Sequence, residues 1–160
     1  MNKMNNSPSQ ITKTPSQRFW QCFWLTFLVV SLAYAWYSFY APSNDIKWAK
    51  NTTSIGELTR DSNKKTLLFF TGKWCSPCQI MKREVFADKE VTQTINSQAT
   101  AAIIDIDDPN SKELVAHFKV GATPTTIILD SEGTVAHYIV GKIEKEKFLE
   151  IFSTFKSATN

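Results

Sequence analysis

Cysteine and histidine are scarce in this chain of 160 residues, which holds three of the first and two of the second. Three cysteines are too few for a disulfide scaffold, and a domain of this length can bury enough core without one. A structural zinc site needs about four ligands, and neither His117 nor His137 is spaced to join the cysteines. The scarcity therefore argues against a disulfide-rich protein and against a dedicated metal site.

Beyond its first 18 residues, the chain has no excess of positive or negative charge. The formal net charge is +3, from 18 basic and 15 acidic residues. Residues 1–18 hold Lys3, Lys13 and Arg18 and no acid, so the remainder is balanced. A balanced domain gives no electrostatic reason to expect a nucleic-acid partner.

Residues 19–41, "FWQCFWLTFLVVSLAYAWYSFYA", lack charge altogether. About 20 apolar residues suffice to cross the hydrocarbon core as a helix, and aromatic side chains at both ends favour the headgroup level. The basic tail, 1–18, then stays in the cytoplasm, and Pro42 ends the helix. We therefore predict a single-pass anchor in a bacterial inner membrane, with the following domain on the periplasmic or outer side.

A cleaved signal peptide is the alternative for the same segment. Ala33 and Ala35 form an A-x-A pattern after a short apolar core. The apolar stretch continues past Ala35 and the basic region before it is long, which favours the anchor, although both interpretations export the domain. A buried core helix is disfavoured because the segment has no polar face.

Residues 42–51 are predicted as a linker, and residues 52–157 as one α/β domain. Apolar runs at 66–70 and 100–106 predict buried strands, and the runs at 125–130 and 134–140 flank the turn "SEG" as a hairpin. Helices are predicted at 53–60, 75–86, 89–97 and 144–155, with one more capped by Ser111. This order is typical of a mixed central sheet flanked by helices.

Cys75 and Cys78 lie three positions apart in "KWCSPC", directly after the first predicted strand. A redox dithiol needs one thiol that ionises near neutral pH and a second that resolves a mixed disulfide. At a helix N-terminus, free N–H groups and the macrodipole would stabilise a Cys75 thiolate, whereas Cys78 would be shielded one turn later. Pro77 suits the first turn, and Trp74 can shelter the pair. The pattern favours a reactive pair.

Three other interpretations of the pair remain at this point. A metal clip would need further ligands, a copper carrier would need only the two sulfurs, and a structural disulfide closing so small a loop would stabilise little.

"KWCSPC", the apolar strand before it and "GATPTTIILDSEG" about 45 residues later resemble the thioredoxin superfamily over residues 52–157. Thr123 and Pro124 match that family's cis-proline loop, at a strand start where a proline is tolerated. "WCSPCQIMKREVFADKEV" is similar to the C-terminal thioredoxin domain of the membrane reductase DsbD. The resemblance implies a thioredoxin-like fold preceded by one transmembrane helix.

The resemblance also implies an extracytoplasmic thiol–disulfide oxidoreductase acting on protein substrates, in the reducing direction. Cys75 would be the nucleophile and Cys78 the resolving thiol, while Trp74, Thr123 and Pro124 would hold the substrate. The cysteine pair would be the only redox group, and a DsbD-like membrane protein would donate electrons. The alternative is a thiol metallochaperone or assembly factor on the same scaffold, which would not require Pro124.

The chain departs from the family pattern at several positions. Ser76 and Pro77, the dipeptide between the cysteines, match neither the Gly-Pro of reducing thioredoxins nor the Pro-His of the strong periplasmic oxidant. Phe69 stands where thioredoxins carry a buried Asp, Ile103 replaces its partner Lys, and Lys82 replaces a Glu of the DsbD-type domain. These replacements leave no obvious base for the proton of the second cysteine.

Overall fold

The computed structural model describes residues 15–40, 43–49, 56 and 64–154. They divide into two compact units, one ending at Tyr37 and the other beginning at Ser38. The helix predicted at 53–60, apart from Gly56, lies outside the described residues, as do Pro42 and Phe155.

The described part of the first unit is helical and belongs to α1 (Pro15–Phe39), whose last two residues fall in the second unit. Its Gln17–Phe39 part has a mean hydropathy of 1.5, is long enough to cross a membrane, and is not buried. The helix starts before the predicted position 19 and ends before the predicted position 41. Its aromatic rings meet edge to face in series: Trp20, Phe23, Trp24 and Phe27. By length and composition, the helix fits a membrane span or a signal sequence.

The second unit is a four-stranded sheet with helices packed on it, as predicted. Its elements are β1 (Lys65–Thr71), α2 (Ser76–Glu84), α3 (Lys89–Gln98), β2 (Ala99–Asp105), a 3₁₀ turn (Pro109–Ser111), α4 (Lys112–His117), β3 (Thr125–Leu129), β4 (Val135–Val140) and α5 (Lys145–Thr154). The strand order is β2-β1-β3-β4. β1 runs parallel to β2 and antiparallel to β3, and β3 and β4 form the predicted hairpin.

The central strand β1 is buried on both faces, which explains its continuous apolar sequence. Leu67 and Phe69 point to one core, and Leu68 and Phe70 to the other. The first of these contains both active cysteines, and we call it the cysteine-side core. Its other large members include Met81, Phe86, Ile128, Phe148 and Phe152.

Phe86 lies at the centre of an aromatic cluster within the cysteine-side core. Its ring meets Phe69 edge to face at a centroid distance of 4.8 Å, and meets Trp48 and Phe148 at 5.5 and 5.8 Å. Such pairs are worth roughly 0.5–1.5 kcal/mol beyond the area they bury. Phe69, at the position of the family's buried acid, is therefore part of the packing that holds the domain together.

The segment predicted as a linker is packed against the domain wherever it is described, at 43–49. Ile46 is buried in the cysteine-side core. Trp48 bridges to Ala101 as an extra parallel residue pair, and the Ala49 amide donates to the Ala101 carbonyl at 2.7 Å. The packed region therefore begins before residue 52.

The N-terminal caps of two helices can be compared with the prediction. The helix predicted from Cys75 to Phe86 spans Ser76 to Glu84, with Cys75 as its N-cap. Ser111 makes no capping hydrogen bond for α4. Asp108 instead caps the preceding 3₁₀ turn by accepting from the Asn110 amide at 2.9 Å. Ser111 is the N-cap of α4, as predicted, although its side chain makes no capping hydrogen bond.

Candidate active site

Cys75 and Cys78 form a disulfide at the start of α2, with their Cα atoms 5.3 Å apart. Cys75 is the N-cap, and its sulfur accepts a hydrogen bond from the Cys78 amide at 3.2 Å. Pro77 lies in the first turn, where its missing N–H leaves no helix bond unmade. Ser76 is half-buried and Pro77 is exposed. A sulfur at a helix N-cap is placed where the macrodipole favours its thiolate.

Both cysteines are buried in this oxidised form, Cys75 at 2% and Cys78 at 0% exposure. The expected shielding of Cys78 is present, but Cys75 is shielded almost as well. Accessibility therefore does not separate the two sulfurs here. What distinguishes them is their place relative to the helix N-terminus.

Trp74 stands beside the disulfide and is 63% exposed. Its indole N–H donates to the Asp107 carboxylate at 2.8 Å. The ring also lies close over Gly72, where an added Cβ would come within 3.1 Å of indole atoms. Gly72 leaves room for the indole ring and Asp107 accepts its hydrogen bond, so together they hold the Trp74 ring in place beside the disulfide. The sequence analysis did not anticipate this contact, which the turn sequence alone does not reveal.

Pro124 lies at the end of the sheet from which the cysteine segment leaves. The Thr123–Pro124 peptide bond is cis, as the loop resemblance implied. β3 begins at Thr125, which pairs with Phe70 near the end of β1, so the loop before β3 and the chain leading to Cys75 share one edge of the sheet. Pro124 itself is buried and Thr123 is half-buried.

A further part of this edge was not anticipated from the sequence. The Gly141 amide donates to the Pro124 carbonyl at 2.8 Å, which ties the end of β4 to the proline loop. Val140, just before it, pairs with Thr125 and is 58% exposed. The sequence signal for this surface was Val140, an apolar residue at the end of the last predicted strand. Val140 and Trp74 give this edge two exposed apolar side chains.

Phe69, which stands where the family has a buried acid, lies in a row of neighbouring residues on adjacent strands of the sheet. Phe69 pairs with Ile103 on β2 and with Thr126 on β3. Since paired residues project to the same face, Ile103, the predicted counterpart of the family's partner lysine, lies beside Phe69. In this row the chain offers one hydroxyl and no ionisable group.

Lys82 on α2 and Asp105 at the end of β2 interact electrostatically. Burial lowers the pKa of Lys82, and the negative charge of Asp105 opposes that by raising it. Lys82 follows Cys78 by one helical turn on α2. It is half-buried, so solvent screens part of its charge.

Within the described part of the chain, no group of three or more His, Cys, Asp and Glu side chains is arranged to hold a metal ion. His117 is exposed at the end of α4, and His137 is half-buried on β4. Neither joins Cys75 and Cys78, which are bonded to each other.

A disulfide that caps a helix after the central strand, with a cis-proline loop at the same sheet edge, defines a thiol–disulfide oxidoreductase of thioredoxin-like fold. The chain belongs to the family described as thioredoxin-like domain, whose model matches residues 57–156.

Curated relatives agree with this assignment. A thioredoxin of Mycoplasma pneumoniae is 27% identical over 104 residues, covering 65% of this chain and 94% of the relative. The thiol:disulfide interchange protein DsbD of Actinobacillus pleuropneumoniae is 28% identical over 99 residues. That match covers 58% of this chain but only 16% of the relative, so the similarity is to one part of DsbD.

Solved structures show the same fold. A thioredoxin from Thermus thermophilus superimposes with a TM-score of 0.60 at 20% identity, covering 69% of this chain and 87% of that one. The oxidised C-terminal domain of DsbD from Neisseria meningitidis gives a TM-score of 0.53 at 22% identity, covering 62% and 87%.

Proposed function

We propose that this protein is a membrane-anchored reductase of protein disulfides that works outside the cytoplasm. The observation that carries the proposal is the Cys75–Cys78 disulfide at the N-terminus of α2, on the sheet edge that also holds Pro124. Cys75 attacks a substrate disulfide, Cys78 resolves the mixed disulfide, and the edge formed by Trp74, Thr123 and Pro124 receives the substrate chain.

The chemistry around Cys75 supports the reducing direction. A strong oxidant needs a heavily stabilised thiolate in its reduced form. In the described residues, the hydrogen bond recorded to the Cys75 sulfur comes from the Cys78 amide alone. The cation nearest along the helix, Lys82, is half-buried and interacts electrostatically with Asp105. Such modest stabilisation suits a dithiol that gives up its electrons readily.

A reducing role in this location requires an electron donor. Similarity to part of DsbD, a thiol:disulfide interchange protein, supports a membrane protein of that kind as the donor. The reduced Cys75–Cys78 pair would be regenerated by the donor's own dithiol, which becomes a disulfide in the exchange.

The reduction potential of the full chain tests the direction. We expect the Cys75–Cys78 couple, equilibrated with dithiothreitol in detergent, to lie near the thioredoxin value of about −270 mV. The reduced protein should also cleave insulin disulfides. A potential near about −120 mV would identify an oxidant instead. Stoichiometric copper or zinc in the purified protein, with no insulin cleavage, would favour the metallochaperone alternative.

A fusion experiment tests the topology. A reporter that is active only outside the cytoplasm, placed after Asn160, should be active, and the protein should stay with membranes after a carbonate wash. The reason is the uncharged segment 19–41, which follows a tail that carries the whole net charge. A soluble fragment starting at Trp36 would exclude the anchor but keep export, and an inactive reporter would exclude both.

A further inference from the structure

Three threonine hydroxyls on or next to β1 and β3 are buried and have no hydrogen-bond partner among the described residues. They are Thr71 Oγ1 at the end of β1, Thr123 Oγ1 before the proline and Thr126 Oγ1 on β3. Buried hydroxyls are almost always hydrogen-bonded, because leaving one unpaired costs free energy. A buried hydroxyl that is unpaired in the oxidised form is available to donate to a partner that forms in another state of the protein.

Thr126 is the most enclosed of the three. It is fully buried, whereas Thr71 is 3% exposed and Thr123 is half-buried. It pairs with Phe69, and it alternates with Ile128 on the face of β3 that belongs to the cysteine-side core. Thr126 therefore lies on the same side of the sheet as Cys78, in the row where the family's acid is missing.

Opening the disulfide changes the hydrogen-bond acceptor that is available to the Thr126 hydroxyl. A disulfide sulfur is a weak acceptor, whereas a thiolate carries a full charge that a hydroxyl can stabilise by donation. Cys78 is fully buried, and burial disfavours its charged form. Phe69 and Ile103 can supply neither a charge nor a hydrogen bond.

We propose that the Thr126 hydroxyl donates a hydrogen bond to the sulfur of Cys78 once the disulfide is open, and so supports the resolving step in place of the missing acid. The inference rests on the proposed function. In that step Cys78 loses its proton and its sulfur bonds to the sulfur of Cys75. The bond between Cys75 and the substrate sulfur breaks, and its electron pair leaves with the substrate, which takes up the released proton.

The test compares the full chain with its Thr126→Val variant in detergent, both in a Cys22→Ser background. Valine keeps the shape and removes the donor. If the hydroxyl favours the reduced form tenfold, its loss shifts the reduction potential by about 30 mV to more negative values. A tenfold smaller thiolate fraction, offset by higher nucleophilicity, should slow release of a bound substrate about threefold.

Two further variants separate this role from packing. Thr126→Ser keeps the donor and should restore both the potential and the release rate. Thr92 is a buried threonine on α3 whose hydroxyl donates to the Phe86 carbonyl at 3.2 Å. Thr92→Val should lower the melting temperature and leave the potential unchanged. Thr126→Val should not lower the melting temperature of the oxidised protein, since the removed group has no partner there. Thr126→Ala provides the same loss of donor if the valine variant fails to fold.

The outcomes distinguish this inference from the function itself. A Thr126→Val potential and release rate equal to wild type, in a protein that cleaves insulin disulfides, would overturn the role of Thr126 and leave the proposed function intact. A serine variant that behaves like valine would overturn it as well. A wild-type protein without any disulfide exchange would remove the proposed function and this inference together.

Discussion

Replacing Cys78 with Ser is expected to leave the protein covalently joined to its substrates. Cys75 can still attack, because it lies at the N-cap of α2, where its sulfur already accepts a backbone hydrogen bond. Without the resolving thiol, the mixed disulfide persists, and multiple-turnover reduction should fall to background. Adducts should appear as slower bands on non-reducing gels and collapse on reduction.

Replacing Cys75 with Ser should abolish those adducts. Cys78 lies inside the helix, where its thiol lacks the N-cap position. Because both sulfurs are buried in the oxidised form, Cys75 at 2% and Cys78 at 0% exposure, the difference between the variants measures the electrostatic advantage of the helix start.

The matched control for both variants is Cys22→Ser. Cys22 is a free, exposed cysteine on α1, and it would otherwise form adducts unrelated to the active pair. In that background, equal trapping by the two variants would refute the assignment of nucleophile and resolving thiol. The assignment would also be refuted if neither variant formed adducts while the wild type cleaved disulfides.

Local patterns were sufficient to predict most of the fold. The unbroken apolar run of β1 indicated a strand covered on both faces, and the structure buries it between two cores. The position of Cys75 followed from the strand before it and from Pro77 after it, because both constrain where α2 can begin.

The contacts that were missed join residues far apart in the chain. Trp74 and Asp107 come from different strand ends, and Gly141 reaches Pro124 only because β4 folds back along β3. The segment at 43–49 looked like a linker because it is short and polar, yet Ile46 is buried in the cysteine-side core. Tertiary packing decides such cases, and spacing along the sequence carries little trace of it.

The burial of Thr126 is another feature that the sequence alone does not predict. The sequence "TPTTIILD" predicts a strand but does not indicate which threonine lies on the face of the cysteine-side core. Register decides it: pairing with Phe69 assigns Thr126 to the cysteine-side core, while Thr125, on the other face, already donates to the Ala122 carbonyl at 2.8 Å.

Introducing the family's acid through Phe69→Asp is expected to destabilise the domain severely. Phe69 is fully buried and packs edge to face on Phe86. Truncating a core Phe typically costs about 3–5 kcal/mol, and burying a polar group without a full set of partners adds about 1–3 kcal/mol. Together these approach the whole stability of an ordinary domain, roughly 5–15 kcal/mol. Urea unfolding at several pH values is the measurement.

The pH dependence of the variant has a definite sign. Burial raises the pKa of the introduced carboxyl above its unfolded value of about 3.9. The folded state then binds more protons than the unfolded state, so stability falls as pH rises from the unfolded pKa toward the folded one. We therefore expect the stability of the Asp variant relative to wild type to be greatest below about pH 3.9 and to fall as the pH rises above that value. Phe69→Asn, polar but not ionisable, should be destabilised without that added pH dependence, and Phe69→Leu should lose least.

Where the Asp variant remains folded, the acid should affect one chemical step more than the other. The carboxylate would lie in the row beside Thr126, on the side of the sheet that holds Cys78, and could accept the proton that this thiol must lose before it attacks. Release of a trapped substrate should therefore accelerate more than the first attack by Cys75, when both are followed in single-turnover experiments. A variant as stable as wild type would contradict the packing role of Phe69. Equal changes in the two steps would show that an acid at this position does not act on Cys78.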